Sequence, residues 1–395
     1  MYTLPRVSSS FDPASLATTA TTTRARGVGL LGCGTVGSSV ARRLVASHPG
    51  LIRSIAVRDP NKSRDLVWSD FDGDPFDVVD DPSVHVVVEC IGGVGLAREL
   101  VLRAIARGKD VVTANKDLIA TEGPWLAAFA ARTGATLRFE AAVGGAIPIV
   151  RALAGSLAAE DVFEIGGVLN GTTNFVLSAM EDGADYAEAL AEAQRLGFAE
   201  SDPRADVDGH DAAHKLAILA GLAFHRPSVS PALARRGIGG LSREDVRAGA
   251  ERGLRLKLLA IARRAADGSI EAGVTPAYVP VDHAFARPRG AQNVVRVLGR
   301  GCGELTFAGT GAGGDATASA VVADVLAALE ERRDTAPPPP GEDLVAGALR
   351  APVLVRLADG RVLEREGVAL DALEATAREF GEGVRSVIPL WRDAA

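Results

Sequence analysis

Residues 27–44, GVGLLGCGTVGSSVARRL, set Gly32, Gly34 and Gly37 in the pattern G-x-G-x-x-G, just after an apolar run and at the opening of a helical pattern. Few short patterns constrain a chain so tightly. A strand must turn abruptly into a helix. The first glycine permits the turn, the second leaves the backbone bare, and the third lets the helix pack against the strand. Unpaired N–H groups at the helix start then face the bare backbone, a ready receptor for pyrophosphate. The segment therefore predicts a Rossmann-type doubly wound parallel sheet with a dinucleotide site.

The following hundred residues support that reading. Apolar runs at 27–31, 52–58, 84–90, 110–113 and 136–140 alternate with helical patterns at 35–47, 95–107 and 124–132, as parallel α/β sheets require. Gly108 and Gly134 stand where helix C-caps are expected. The second run ends in Arg58-Asp59. An acid there would bind the ribose hydroxyls of NAD and an arginine the 2′-phosphate of NADP. Arg58 directly follows the apolar run, which favours NADP over NAD, the alternative being a solvated strand-end charge. Ligands in such sheets sit beyond the carboxyl ends of the strands. That is where Glu89-Cys90-Ile91-Gly92-Gly93 and Thr113-Ala114-Asn115-Lys116 fall, and the small residues of 141–146 leave backbone open to close approach.

Residues 151–315 read as a second, α+β substrate domain. Strands are expected at 165–168 and 271–276, and helices at 186–196, 211–224, 243–249 and 254–266. A helix within 316–334 returns to the first domain at 26–150. Residues 335–341 hold four prolines and read as an extended linker. The short C-terminal appendage, 342–395, carries a hairpin (353–357 and 362–365), a helix (370–380) and a strand (384–390). Residues 1–25 read as a mobile leader without the apolar core of a signal peptide.

A net charge of −7 speaks against a general nucleic-acid or anionic-membrane binder. No apolar run reaches a membrane-spanning length. Three scattered cysteines suit a cytoplasmic location, Cys33 serving as a small filler in the glycine turn.

The densest cluster of chemistry is GFAESDPRADVDGHDAAHKLAIL, 197–219. Carboxylates crowd a loop, and Asp211 and Lys215 share one helix face at i, i+4. Helix capping by Asp208 and Asp211, or an ordinary surface ion pair, would explain the same spacing without catalysis. His214 reads as structural.

Taken together, GLLGCGTVG, TANK, EAAVGGAIPIV, GGVLNGTTNFVL, the 197–219 segment, RLKLLAIA and FAGTGAGGDATASAVVADVL resemble the homoserine dehydrogenase family, in order, over about 27–330. The resemblance implies reversible NAD(P)H-dependent reduction of L-aspartate 4-semialdehyde to L-homoserine, in threonine, methionine and isoleucine biosynthesis. It implies Lys215 as proton donor and Lys116 as second active-site lysine, with Glu200, Asp206, Asp211 and Thr172 on the substrate. On the cofactor side stand Thr35, Val36, Arg58, Ile91, Lys116, Gly311 and Gly313, beside the three motif glycines. The carbonyl oxygens of Glu140, Val143, Gly145 and Ile147 would hold sodium or potassium, and the assembly would be a homodimer. The tail matches at best half of the ACT domain that longer members carry, so inhibition by threonine is expected to be weak or absent. Two rivals stay open at this point: a related dehydrogenase for another amino-acid aldehyde, and a non-catalytic cofactor sensor.

Overall fold

The computed structural model describes residues 26–64, 66, 68, 71–226, 233–330 and 347–393. The leader at 1–25 and the proline-rich linker at 335–341 lie outside the described residues.

The first part runs β1 (Gly27–Leu31), α1 (Thr35–Ser47), β2 (Ile52–Ala56), β3 (Phe71–Asp72), α2 (Pro75–Asp80), β4 (Val84–Glu89), α3 (Gly95–Ala106), β5 (Asp110–Thr113), α4 (Lys116–Thr133) and β6 (Leu137–Arg138). All six strands are parallel, in the order β3-β2-β1-β4-β5-β6. Every residue of β1 and β5 is buried, which is why these strands read as unbroken apolar runs rather than alternating ones. Strand order reverses between β1 and β4, and a crevice opens beyond their carboxyl ends.

Two boundaries differ from expectation. The strand expected at 136–140 pairs only at Leu137–Arg138. At Glu140 the backbone N–H turns to the Asp324 carboxylate instead, at 2.9 Å, and the chain curls into a single tight turn. The helix expected at 124–132 begins at Lys116, so Pro124 lies inside it. Asn115 caps it early by accepting from the Leu118 N–H. Burial of Leu118, Ile119, Leu126, Ala127 and Ala130 holds the helix together across the proline.

The second part follows: α5 (Ile149–Arg151), β7 (Val162–Val168), α6 (Gly171–Glu181), α7 (Tyr186–Arg195), α8 (Arg204–Val207), α9 (His210–Ala223), β8 (Ala234–Arg235), α10 (Arg243–Ala250), β9 (Leu254–Arg264), β10 (Ile270–Pro280), β11 (Gln292–Gly299), β12 (Gly303–Thr310), α11 (Gly314–Leu329) and β13 (Gly347–Ala348). Its strands form a mixed sheet, β12-β11-β7-β9-β10-β13, with β8 also on β10. The helix expected at 254–266 is strand β9, a correction with a clear cause. It pairs with β10 on one side and β7 on the other. Leu256 to Ala262 are all buried, so the strand shows no alternation, and its Leu, Ala, Arg and Lys content favours a helix until tertiary pairing overrides it. In helix α11, Ala318, Val321, Val325 and Ala328 share a core with Val40, Ala41 and Leu44 of α1.

The last part, β14 (Arg350–Leu357), β15 (Val362–Ala369), α12 (Leu373–Glu379) and β16 (Val384–Pro389), forms an antiparallel sheet in the order β15-β14-β16. It shares a core with the mixed sheet, Val353, Val355, Val387 and Trp391 packing among Leu259, Ile261, Ala277 and Val279. Asp245, 1% exposed at the start of α10, clasps it by accepting from Arg356 Nε at 2.9 Å and Ser386 Oγ at 2.5 Å.

Candidate active site

The glycine loop separates packing demands from ligand demands. A Cβ on Gly37 would meet the Gly32 carbonyl oxygen at 2.0 Å, and one on Gly32 (φ +91°) the Cys90 carbonyl oxygen at 2.7 Å. One on Gly34 would find nothing within 4 Å. Gly32 and Gly37 are therefore required by the protein's own packing. Gly34 presents bare backbone to a cavity of about 540 Å³. That cavity runs past Val57, Arg58 and Asp59 and is also lined by Ile91 and Leu96. Thr35 and Val36 open α1 directly after Gly34. Its basic side includes Lys62 and Arg64. Arg64 lies over the Phe71 ring at 4.8 Å and donates to the Asp59 carbonyl at 2.9 Å. Arg58 itself is exposed at the strand end. The space suits a dinucleotide: open at the one glycine the fold does not need, facing a helix start, and cationic at its far end.

A larger cavity, about 700 Å³, lies between Arg235, Arg236 and the α12–β16 segment. It includes neither lysine and no residue of the glycine loop, so size is a poor guide to the chemistry here. Cys33 is a buried filler whose thiol sits 3.3 Å from Ser38 Oγ.

A network at the strand ends then positions Lys116. Buried Glu89 accepts from the Ile91 and Gly92 N–H groups through Oε1 (2.8 and 3.0 Å) and from Thr113 Oγ1 through Oε2 (2.5 Å). Thr113 in turn receives the Asn115 N–H, and Asn115 Nδ2 donates to the Gly93 carbonyl at 2.6 Å. The chain is thus pinned on both sides of the cleft, and Lys116 emerges as the first residue of α4.

Lys116 meets the second lysine through one carboxylate. Asp211, buried on α9, holds Lys215 Nζ at 2.7 Å through Oδ2 and Lys116 Nζ at 3.3 Å through Oδ1. Lys215 also donates to the Leu169 carbonyl at 3.0 Å. Asn170 Nδ2 bridges Asp211 Oδ2 (2.8 Å) and Asp206 Oδ1 (2.7 Å). Thr172 Oγ1 lies 2.9 Å from Asp206 Oδ2 and 2.7 Å from the Phe198 carbonyl. Burial pushes the Asp211 carboxyl up, but the two ammonium groups outweigh it and hold it down at about 2. Lys116 shows the reverse balance: burial pulls it down, and Asp211 and Asp117 bring it above the ordinary lysine value. Asp206, desolvated beside Asp211, is raised.

The structure therefore brings together Lys116, Thr172, Asp206, Asp211 and Lys215. Glu200 stands apart on an exposed loop, its backbone carbonyl accepting from Gln194 Nε2. Asn170 was not foreseen. It caps α6 with Oδ1, on the Thr173 N–H, while Nδ2 ties the two aspartates. An asparagine between an apolar strand and a Gly-Thr-Thr helix start was the available signal.

Residues 140–147 fold beside this network. Gly144 and Gly145 are both left-handed (φ +78° and +58°). A Cβ on Gly145 would meet the Gly311 carbonyl carbon at 2.7 Å, and one on Gly314 the Thr35 carbonyl oxygen at 2.9 Å. The 311–314 loop, with Gly313 at its centre, thus bridges the 140–147 turn and the glycine loop. The Glu140 carboxylate accepts from the Val150 and Arg151 N–H groups, and burial next to Asp324 pushes it up to about 7. Among the described residues no group of three or more His, Cys, Asp or Glu side chains could hold a metal. Any cation here would rest on the carbonyls of buried Glu140, Val143, Gly145 and Ile147, hard oxygens of the kind sodium and potassium accept.

A parallel sheet in this strand order, a pyrophosphate-type glycine loop and a lysine–carboxylate cluster reached from the end of β5 define an NAD(P)-binding oxidoreductase. Two family models match the chain: "Homoserine dehydrogenase, NAD binding domain" over 32–140 and "Homoserine dehydrogenase" over 148–326. The chain belongs to the homoserine dehydrogenase family. It is 44% identical over 321 residues to the homoserine dehydrogenase of Corynebacterium glutamicum, covering 78% of this chain and 72% of that one. The crystal structure of a homoserine dehydrogenase from Thiobacillus denitrificans superposes with a TM-score of 0.84 at 38% identity, covering 93% of this chain and 98% of that one. A hyperthermophilic archaeal homoserine dehydrogenase in complex with NADPH gives 0.64 at 27%, covering 78% and 98%.

Proposed function

We propose that this protein interconverts L-aspartate 4-semialdehyde and L-homoserine, the step that feeds threonine, methionine and isoleucine synthesis, with NADP preferred over NAD and Lys215 as proton donor. The observation that carries the reading is the single Asp211 carboxylate holding both Lys116 and Lys215. Bound NAD(P)H supplies the hydride. As negative charge develops on the aldehyde oxygen, the Lys215 ammonium gives up a proton to it. Lys116, kept cationic by Asp211 and Asp117, stabilises that oxygen or draws the substrate carboxylate. Asp206 receives the α-ammonium, with Glu200 outside the cluster on its exposed loop. Asn170 and Thr172 hold Asp206 in place, so that the cluster is formed before substrate arrives.

Arg58, Lys62 and Arg64 around one cavity support NADP, as does the NADPH bound by the archaeal relative. The carbonyls of Glu140, Val143, Gly145 and Ile147 would take a monovalent cation. Free Cys33, Cys90 and Cys302 suit a cytoplasmic setting. We place the cofactor domain at 26–150, the substrate and dimerisation domain at 151–315, the returning helix at 316–334 and the partial ACT-like tail at 342–395, in a homodimer. Threonine at millimolar concentration is expected to leave the rate nearly unchanged in the same assay.

The deciding experiment is a steady-state assay with homoserine and each oxidised cofactor. Homoserine-dependent reduction of NADP⁺, faster than of NAD⁺ at equal concentration, is expected. No homoserine-dependent reduction of either would overturn the reading.

A further inference from the structure

Lys116 and Lys215 sit on different helices, so their separation depends on whatever fastens α4 to α9 beside them. One fastening is the Asp211 bridge. A second makes no hydrogen bond to Asp211, Asp206 or Asn170: His214 Nδ1 lies 2.7 Å from Asp117 Oδ1. Each member of this pair adjoins a lysine, Asp117 immediately after Lys116 and His214 immediately before Lys215. Asp117 belongs to the first turn of α4, which Asn115 caps. There the helix dipole favours a negative charge. His214 lies in the second turn of α9, whose other residues from Asp211 to Ala223 are buried. The His214 and Asp117 side chains are 25% and 38% exposed, so water reaches the pair without replacing it.

We propose that His214 and Asp117 form a positioning pair that locks α4 to α9 at the spacing at which Lys116 and Lys215 act on one substrate. The pair rests on the lysine roles assigned above and acts through them. Neither side chain bonds to Asp211, Asp206 or Asn170, so the contact between them serves by holding backbone. The Asp211 bridge alone leaves this spacing loose, because a substrate entering the cluster competes for the same two ammonium groups. The His214–Asp117 contact persists when Asp211 is engaged elsewhere. Asp117 has a supporting electrostatic role: the His214 hydrogen bond, foremost among its surroundings, keeps its carboxyl below the usual range, and its charge faces Lys116.

The test uses the full-length protein with Asp117→Ala, His214→Ala, the double variant and His214→Asn, whose amide nitrogen takes the place of Nδ1 and can still donate to Asp117. Each single alanine variant should lower kcat about tenfold, the scale of a small displacement of reacting groups. The KM for the nicotinamide cofactor and the thermal midpoint should stay unchanged. The double variant should be no slower than the slower single one, because the contact is already lost. His214→Asn should recover most of the rate. Wild-type kcat in both single variants would overturn the proposal. So would losses that multiply in the double variant, or a fall in kcat matched by a fall in thermal midpoint with no recovery in His214→Asn. Lys215→Ala, assayed alongside, separates the two readings. Normal turnover there defeats the lysine assignment itself, whereas a dead Lys215→Ala beside fully active pair variants defeats only the pair.

Discussion

The proposed cofactor and substrate sites are built from opposite materials. At the cofactor end the fold presents main chain: Gly34 open to the cavity, a helix start behind it, and cationic side chains only at the rim. At the substrate end it presents buried charge, Asp211 and Lys215 each under one-tenth exposed and cross-braced by Asn170. A bare-backbone site binds whatever carries a pyrophosphate and is spoiled by adding atoms. A buried-charge site selects one substrate geometry and is spoiled by removing them.

The sharpest way to break this contrast is Lys215→Ala. Loss of the proposed proton donor should lower kcat on the order of a thousandfold while leaving cofactor binding, followed by NADPH fluorescence, intact. Parallel loss of cofactor affinity would mean that the two ends are not separable. Gly34→Val should instead fold normally and weaken cofactor binding roughly tenfold or more, since its side chain enters only ligand space. Gly37→Val places its Cβ against the Gly32 carbonyl and should cost about 2 kcal/mol of stability, read as a lower midpoint in urea. Arg58→Ala should raise the KM for NADP⁺ roughly tenfold and leave that for NAD⁺ unchanged, as removal of a charge-assisted phosphate contact would. The smallest effect is acid sensitivity. Asp211 is held at about 2 in the fold, against an ordinary 3.8. Its contribution is therefore complete above pH 3.8 and is lost as pH falls towards 2. Asp211→Asn should flatten the stability curve across that window; an unchanged acid limb would show that the bridge adds nothing to folding.

The same contrast explains what the sequence disclosed. The cofactor end was readable because local rules write it: a glycine spacing, an apolar run and a helix start lie within 18 residues. The strands β1, β4 and β5 announce themselves as short apolar runs between helical patterns. The mixed sheet hid more. Strand β9 looks helical because it is buried along Leu256–Ala262 and built from helix-favouring residues, and only its partners β7 and β10 decide the matter. The β11–β12 hairpin was missed as well. β11 is buried over Asn293–Val297, whereas β12 alternates between partly buried and exposed positions and carries Gly309 within it. At the substrate end, the i, i+4 spacing of Asp211 and Lys215 was visible, but the joining of Lys116 to the same carboxylate across nearly a hundred residues was not. Asn170 escaped because an N-cap asparagine is ordinary until its second hand is seen on two aspartates.

The clasp of Asp245 on Arg356 and Ser386 has a consequence for anyone shortening the chain. Ending it before residue 347 would strip the guanidinium and a hydroxyl from a carboxylate that is 1% exposed, and would lay open the apolar faces of Leu259, Ile261 and Val279. A stranded buried charge and an uncovered sheet face are each costly. A truncated enzyme should therefore collect in inclusion bodies rather than report a faster or slower reaction. Trimming is a folding experiment here, and regulation of the tail has to be studied with the tail in place.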